Sequence, residues 1–162
     1  RPSVAIHIRR GDLKRTDGRI LSNEYYYTII GHVRRHLPDV DVHIWSSIMS
    51  YSVDVFSKVS FWKDSDFDGF RERNATIHLD DESLLDPWMH MARADIFVMS
   101  TSSFSFVPAV LNSGCVISTE HIDLLVEGWV KGNEEIKRDL DNSKLAKCIA
   151  RSGFKSVLAK KR

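Results

Sequence analysis

The sequence has little of what would commit it to a specialised class. It carries two cysteines, Cys115 and Cys148, too few for the disulfide framework of a small secreted scaffold. Cys115 sits in the apolar stretch Gly114-Cys115-Val116-Ile117 and reads as a buried free thiol. An excess of charge of one sign is missing too. With 23 basic and 22 acidic residues the net charge is +1, which excludes a global field that would gather nucleic acid or an anionic membrane. No apolar run approaches the ~20 residues needed to span a bilayer. None of His32, His36, His43, His78, His90 and His121 is paired with cysteine or carboxylate at a recognised ligand spacing, so zinc is not expected. The chain opens at Arg1-Pro2 without a methionine and reads as a piece of something longer, so a missing leader or anchor excludes nothing.

What is present is ordinary for one well-buried globular domain: 162 residues, 43% hydrophobic and 28% charged. Apolar runs alternate with helical patterns, and turn dipeptides are few. Strands are expected at Val4 to Ile8, Val40 to Trp45, Thr76 to Leu79, Ile96 to Met99 and Cys115 to Ile117. Helices are expected from Ser22, as cap, through Leu37, weakly over Val53 to Val59, and over Leu84 to Ala92 and Phe104 to Leu111. In the first, Tyr26, Ile29, Ile30 and Val33 recur at helical spacing before Pro38 stops it. Pro108 is tolerable near the first turns of the last. This alternation argues for an α/β fold, a Rossmann-like parallel sheet with helices on both faces. Residues 1–122 form that domain. Residues 123–162 read as its charged helical extension, one or two solvent-facing helices, ending in a basic tail with Arg151, Lys155, Lys160, Lys161 and Arg162.

In an open parallel sheet, ligands lie beyond the carboxyl ends of the strands. The candidate residues are therefore those in the loops that follow the strands: His7, Arg9, Arg10 and Asp12; Ser46 and Ser47; Asp80 and Asp81; and Ser100 through Ser103. Adjacent arginines suit a doubly charged anion such as a diphosphate, because a forked, permanently charged guanidinium holds oxygens in pairs. A surface salt-bridge cluster is the other reading of the pair. Ser102 and Ser103 precede a helix whose free N–H groups favour an anion, and helix capping alone also accounts for them. Asp80, Asp81 or Asp86 could accept from ribose hydroxyls or a guanine amine. His7, within the run Val4-Ala5-Ile6-His7-Ile8, fits either a satisfied core histidine or a donor to phosphate or ribose oxygen. Trp88 and Met89 should pack the core beside Met91, with Trp88 near a base or sugar as the alternative. Arg10-Gly11-Asp12 spells the adhesive tripeptide, which needs a projecting loop tip. Asn74-Ala75-Thr76 fits the N-glycosylation sequon.

His7-Ile8-Arg9-Arg10-Gly11-Asp12 after a hydrophobic strand resembles the first motif of the α1,2-, α1,6- and protein O-fucosyltransferases. Ala94-Asp95-Ile96-Phe97-Val98-Met99-Ser100-Thr101-Ser102-Ser103-Phe104-Ser105 is similar to their later motif. Together the two span residues 4 to 118 in the expected order. The resemblance implies the nucleotide-sugar half of a GT-B enzyme, inverting and metal-independent, taking fucose from GDP-fucose to a glycan or protein hydroxyl. It further implies no cofactor, an acceptor domain preceding this chain, and a place in the secretory pathway, Golgi or ER lumen. His7, Arg9, Arg10, Ser102 and Ser103 would hold the diphosphate. Asp86 comes closest to the base-binding acid, one residue too far from Asp95. Asp17 matches a catalytic carboxylate, with Asp12 as substitute, although Leu13 stands where the family has lysine and Asp17 is shorter than the family's glutamate. Asp39 and Asp41, flanking Val40, do not look like the metal-binding Asp-x-Asp of the other transferase class. A GT-B transferase with another nucleotide sugar, a non-catalytic nucleotide-binding module and a receptor-binding Arg-Gly-Asp protein remain as alternatives.

Overall fold

The computed structural model describes residues 1–49, 61–119, 126–132 and 142–154. The helix expected over Val53 to Val59, His121 and the tail beyond Phe154 lie outside the described residues. Among the described residues six strands form one parallel sheet: β1 (Ser3–His7), β2 (Asp41–Ser46), β3 (Ala75–Leu79), β4 (Ile96–Val98), β5 (Cys115–Thr119) and β6 (Val130–Gly132). Their order, β3-β2-β1-β4-β5-β6, is the Rossmann-like arrangement, with its switch point between β1 and β4.

Helices cover both faces. α1 (Asn23–His36) is capped by Ser22, whose Oγ accepts from the Tyr25 amide at 3.2 Å. Its apolar stripe, Tyr26, Ile29, Ile30 and Val33, is buried with Val4, Ile6, Ile8, Val42 and Ile44 in the larger core. α3 (Leu85–Arg93) and α4 (Ser103–Leu111) cover the opposite face, where Ala5, Trp45, Phe97, Met99 and Val116 pack with Met91 and Ala109. A 3-10 turn (Asp64–Phe67) and the short α2 (Asp68–Arg71) lead into β3 and insert Phe67 and Phe70 beneath α1. Pro108 lies inside α4 and is buried. Asn74, exposed with φ 52, turns the chain into β3.

Three expectations need correcting. Beyond Asp123 the sequence pattern suggested solvent-facing helices, yet the structure adds a strand, β6, and a helix, α5 (Asn142–Arg151), in which Leu145, Cys148 and Ile149 are buried. The charges of this region occupy the outer side of α5 and masked its inward stripe. Cys115 is not a free thiol: it is joined to Cys148 with Cα atoms 4.9 Å apart, which ties α5 to β5. Met89 does not pack the core; it is 45% exposed and lines an open cavity between α3 and the sheet, while Trp88 is half-buried against the Phe104 ring.

Candidate functional site

Side chains alternate along a strand, and this parity sorts the first motif. Val4, Ile6 and Ile8 face α1, while Ala5 and His7 face α3 and α4. Continued past the strand, the same alternation sends Arg9 to the side of His7 and Arg10 to the side of α1. Arg9 and His7 line a cavity of about 180 Å³ at the carboxyl ends of the strands, together with Trp45, Ser46, Ser47, Asp80, Asp81, Ser83, Leu84, Pro87 and Phe104.

Arg9 stands at the rim, its side chain about one-third exposed, and its Nη2 donates to both oxygens of Asp12 at 2.7 and 3.0 Å. Its Nε and Nη1 have no hydrogen-bond partner among the described residues, so they are available to a ligand. Arg10 does not reach the cavity. Only 4% exposed, it donates to the Arg9 and Leu21 carbonyls and to Asn23 Oδ1, and its guanidinium lies 4.5 Å over the Trp62 ring. Arg15 covers the same ring, and Trp62 Nε1 donates to the Leu13 carbonyl. Arg10 is thus a brace for the loop, and the expectation that it holds the diphosphate is corrected. Its burial also closes the adhesive reading, since a receptor cannot grip an arginine that faces inward. Gly11 adopts φ +62, and a Cβ at this position would lie only 3.1 Å from the Met49 carbonyl oxygen. No side chain fits that turn without strain.

His7 is 7% exposed, and its Nδ1 lies 2.5 Å from Ser105 Oγ and 2.9 Å from Ser100 Oγ. The Ser100 amide donates to Ser105 Oγ at 3.2 Å, and the two hydroxyls are 3.1 Å apart. Burial first and the neighbouring Arg9 second push the His7 pKa down to about 3, so the ring is neutral at physiological pH. The two sequence motifs therefore meet in the interior, across the switch point. The Thr101 hydroxyl adds a second link by donating to the Arg19 carbonyl.

The serines named from sequence divide differently. Ser102 caps α4, accepting from the Phe104 amide at 3.3 Å, and Ser103 is exposed. Neither lines the cavity. Ser105 was not foreseen, although a serine between Phe104 and Phe106 in an apolar helix needs an internal partner. Asp80 lines the cavity, but its Oδ1 accepts from Ser47 Oγ and from the Ile48 and Met49 amides at 2.5 to 3.2 Å, and it takes φ 54 to do so. It shapes the loop after β2, leaving Asp81 and Ser83 as polar groups of that wall. Asp86 is exposed in the first turn of α3 and does not line the cavity.

Asp17 is also outside the cavity. Arg19 holds it through its guanidinium at 2.9 and 3.0 Å and its amide at 2.9 Å, which lowers its pKa to about 2. A carboxylate so stabilised is a weak proton acceptor, contrary to the role expected of it. No group of three His, Cys, Asp or Glu side chains suited to a metal ion occurs among the described residues. A second cavity, about 270 Å³, lies between α3 and the sheet, lined by Ser3, Val4, Ala5, His43, Trp45, Met89, His90, Arg93 and Ala94. No family model matches the chain, and neither a curated protein nor a solved structure matches it.

Proposed function

We propose that this chain is the donor-binding part of an inverting fucosyltransferase-like glycosyltransferase that transfers fucose from GDP-fucose to a glycan or protein hydroxyl. The observation that carries this reading is the junction of the two motifs: His7 of one is hydrogen-bonded to the buried Ser100 and Ser105 of the other, beneath the crevice that His7 and Arg9 line, the place where doubly wound sheets bind nucleotides. Arg9 would hold the diphosphate by charge-assisted hydrogen bonds and His7 would add a neutral donor. The reaction is one displacement: the acceptor oxygen forms a bond to the anomeric carbon as the bond from that carbon to the phosphate oxygen breaks. The acceptor proton passes to a base, and GDP leaves. Charge builds on the departing diphosphate, and the Arg9 guanidinium at the rim of the cavity stabilises it. The Cys115–Cys148 disulfide is in keeping with an oxidising compartment and so with the secretory pathway.

Calorimetry with GDP and UDP tests the proposal. GDP should bind and outcompete UDP, and Arg9→Ala should lose about 2 kcal/mol or more of GDP binding, roughly thirtyfold in affinity, while the fold persists. Equal affinity for both nucleotides would point to another donor, and no affinity for either would remove the nucleotide site.

A further inference from the structure

Around His7 the hydrogen-bond donors and acceptors can be counted. Ser100 offers its amide proton and its hydroxyl proton, and Ser105 offers its hydroxyl proton. Each hydroxyl oxygen has two lone pairs. If Nδ1 carries no proton, every donor is satisfied: the Ser100 amide and hydroxyl donate to Ser105 Oγ, and the Ser105 hydroxyl donates to Nδ1, the shortest contact of the set at 2.5 Å. The exchanged pattern, Ser100 to Nδ1 at 2.9 Å and Ser105 to Ser100, closes equally well. If Nδ1 carries the proton, one hydroxyl proton is left with no acceptor among these contacts, which is unfavourable for a buried group. Ser100 and Ser105 are both 0% exposed, so water does not repair the loss. The hydrogen bond made by one ring nitrogen sets the state of the other. Nε2 has no hydrogen-bond partner among the described residues and belongs to a ring that lines the cavity.

We infer that Ser105 and Ser100 are positioning residues that hold His7 as its Nε2–H tautomer, so that His7 serves the cavity as a neutral donor to an anionic oxygen and not as a proton acceptor. The inference rests on the nucleotide reading above for the identity of that oxygen. The tautomer itself does not depend on it. A depressed pKa agrees with a neutral ring, because burial first and the neighbouring Arg9 second disfavour the cation. Phe104, its ring centre 5.0 Å from that of His7, fixes the plane of the imidazole. The assignment also explains a serine at an apolar helix position, where alanine would pack as well and cost no hydrogen bond.

The test uses the ligand-free chain labelled with ¹⁵N. Long-range ¹H–¹⁵N spectra separate protonated from unprotonated ring nitrogens, and His7 is assigned by its loss in His7→Gln. The expected result is a protonated Nε2 and an unprotonated Nδ1, unchanged between about pH 8 and pH 5. A protonated Nδ1, or a ring that becomes cationic within that range, overturns the inference. In Ser105→Ala the Ser100 hydroxyl can still donate to Nδ1 and the tautomer should persist; in Ser100→Ala/Ser105→Ala the tautomers should mix and GDP affinity should fall about tenfold, and an unchanged spectrum together with unchanged affinity in that double variant removes the two serines from the role. The two readings fail separately. A chain with the Nε2–H tautomer that binds no GDP overturns the nucleotide reading and the ligand named here. A chain that binds GDP with the other tautomer overturns only this inference.

Discussion

A carboxylate becomes a good general base when its surroundings raise its basicity, and Asp17 has the opposite surroundings. With Arg19 donating three hydrogen bonds and its pKa held near 2, Asp17 is ionised but reluctant to take a proton. In the complete enzyme, Asp17→Asn should change turnover by less than about threefold, as steady-state transfer assays would show; a loss of a hundredfold would restore the catalytic role that the resemblance implied. His7 supplies a prediction about pH. Its pKa falls from 6.5 to about 3 in the folded chain, so below pH 6.5 the unfolded chain binds a proton that the folded chain refuses. Stability from this group is complete above pH 6.5 and is lost as pH falls toward 3. His78, lowered by burial and by the adjoining His43, acts in the same direction. Thermal midpoints measured from about pH 7.5 to 4.5 should decline, and His7→Gln should flatten the decline; an equally steep slope in the variant would mean that His7 is not the neutral buried group.

Among the elements, the loop after β1 and helix α5 owe most to contacts distant in sequence. The loop has little apolar content of its own, and its order comes from Arg10, Trp62, Asn23 and the 3-10 turn that supplies Asp66. Arg15 joins this brace through Asp66 at 2.5 Å. Helix α5 docks by Leu145 and Ile149, each fully buried and each contributing roughly 1.5 to 3 kcal/mol of apolar transfer. Arg151, expected in a solvated tail, donates instead to the Gly128 carbonyl and to Cys148 Sγ. The disulfide closes a sequence separation of 33 residues. On the chain-entropy estimate this constrains the unfolded state by about 3 to 4 kcal/mol. Replacing both cysteines by alanine should lower the thermal midpoint by several degrees and expose α5 to early proteolysis. An unchanged midpoint and an uncut α5 would show that the apolar contacts suffice without the bond.

For the whole molecule, one sheet edge carries the proposed chemistry, and its cavity offers arginine, histidine and hydroxyl donors to an anion. GDP binding should therefore persist in EDTA. Complete loss on chelation, restored by magnesium or manganese, would replace this mechanism with a cation-dependent one. Much of this architecture was legible from the sequence because it depends on local periodicity. A run such as Val4-Ala5-Ile6 must be buried on both faces, and a stripe such as Tyr26, Ile29, Ile30 and Val33 must lie against it, whatever surrounds them. Alternation of strands and helices then leads to a parallel sheet and puts the polar loops at one edge. The division of labour between neighbouring residues was less accessible. Strand parity hints that Arg9 and Arg10 diverge, but only Leu21, Asn23 and Trp62, brought in from elsewhere, make the inward position of Arg10 stable. Ser105 gained its role from His7 across the sheet, and Cys115 gained its partner from a helix whose charges hid its buried side. Periodicity is a property of a segment and can be read from it; hydrogen-bond partners, disulfide partners and shifted basicities are properties of distances that exist only after the chain has folded.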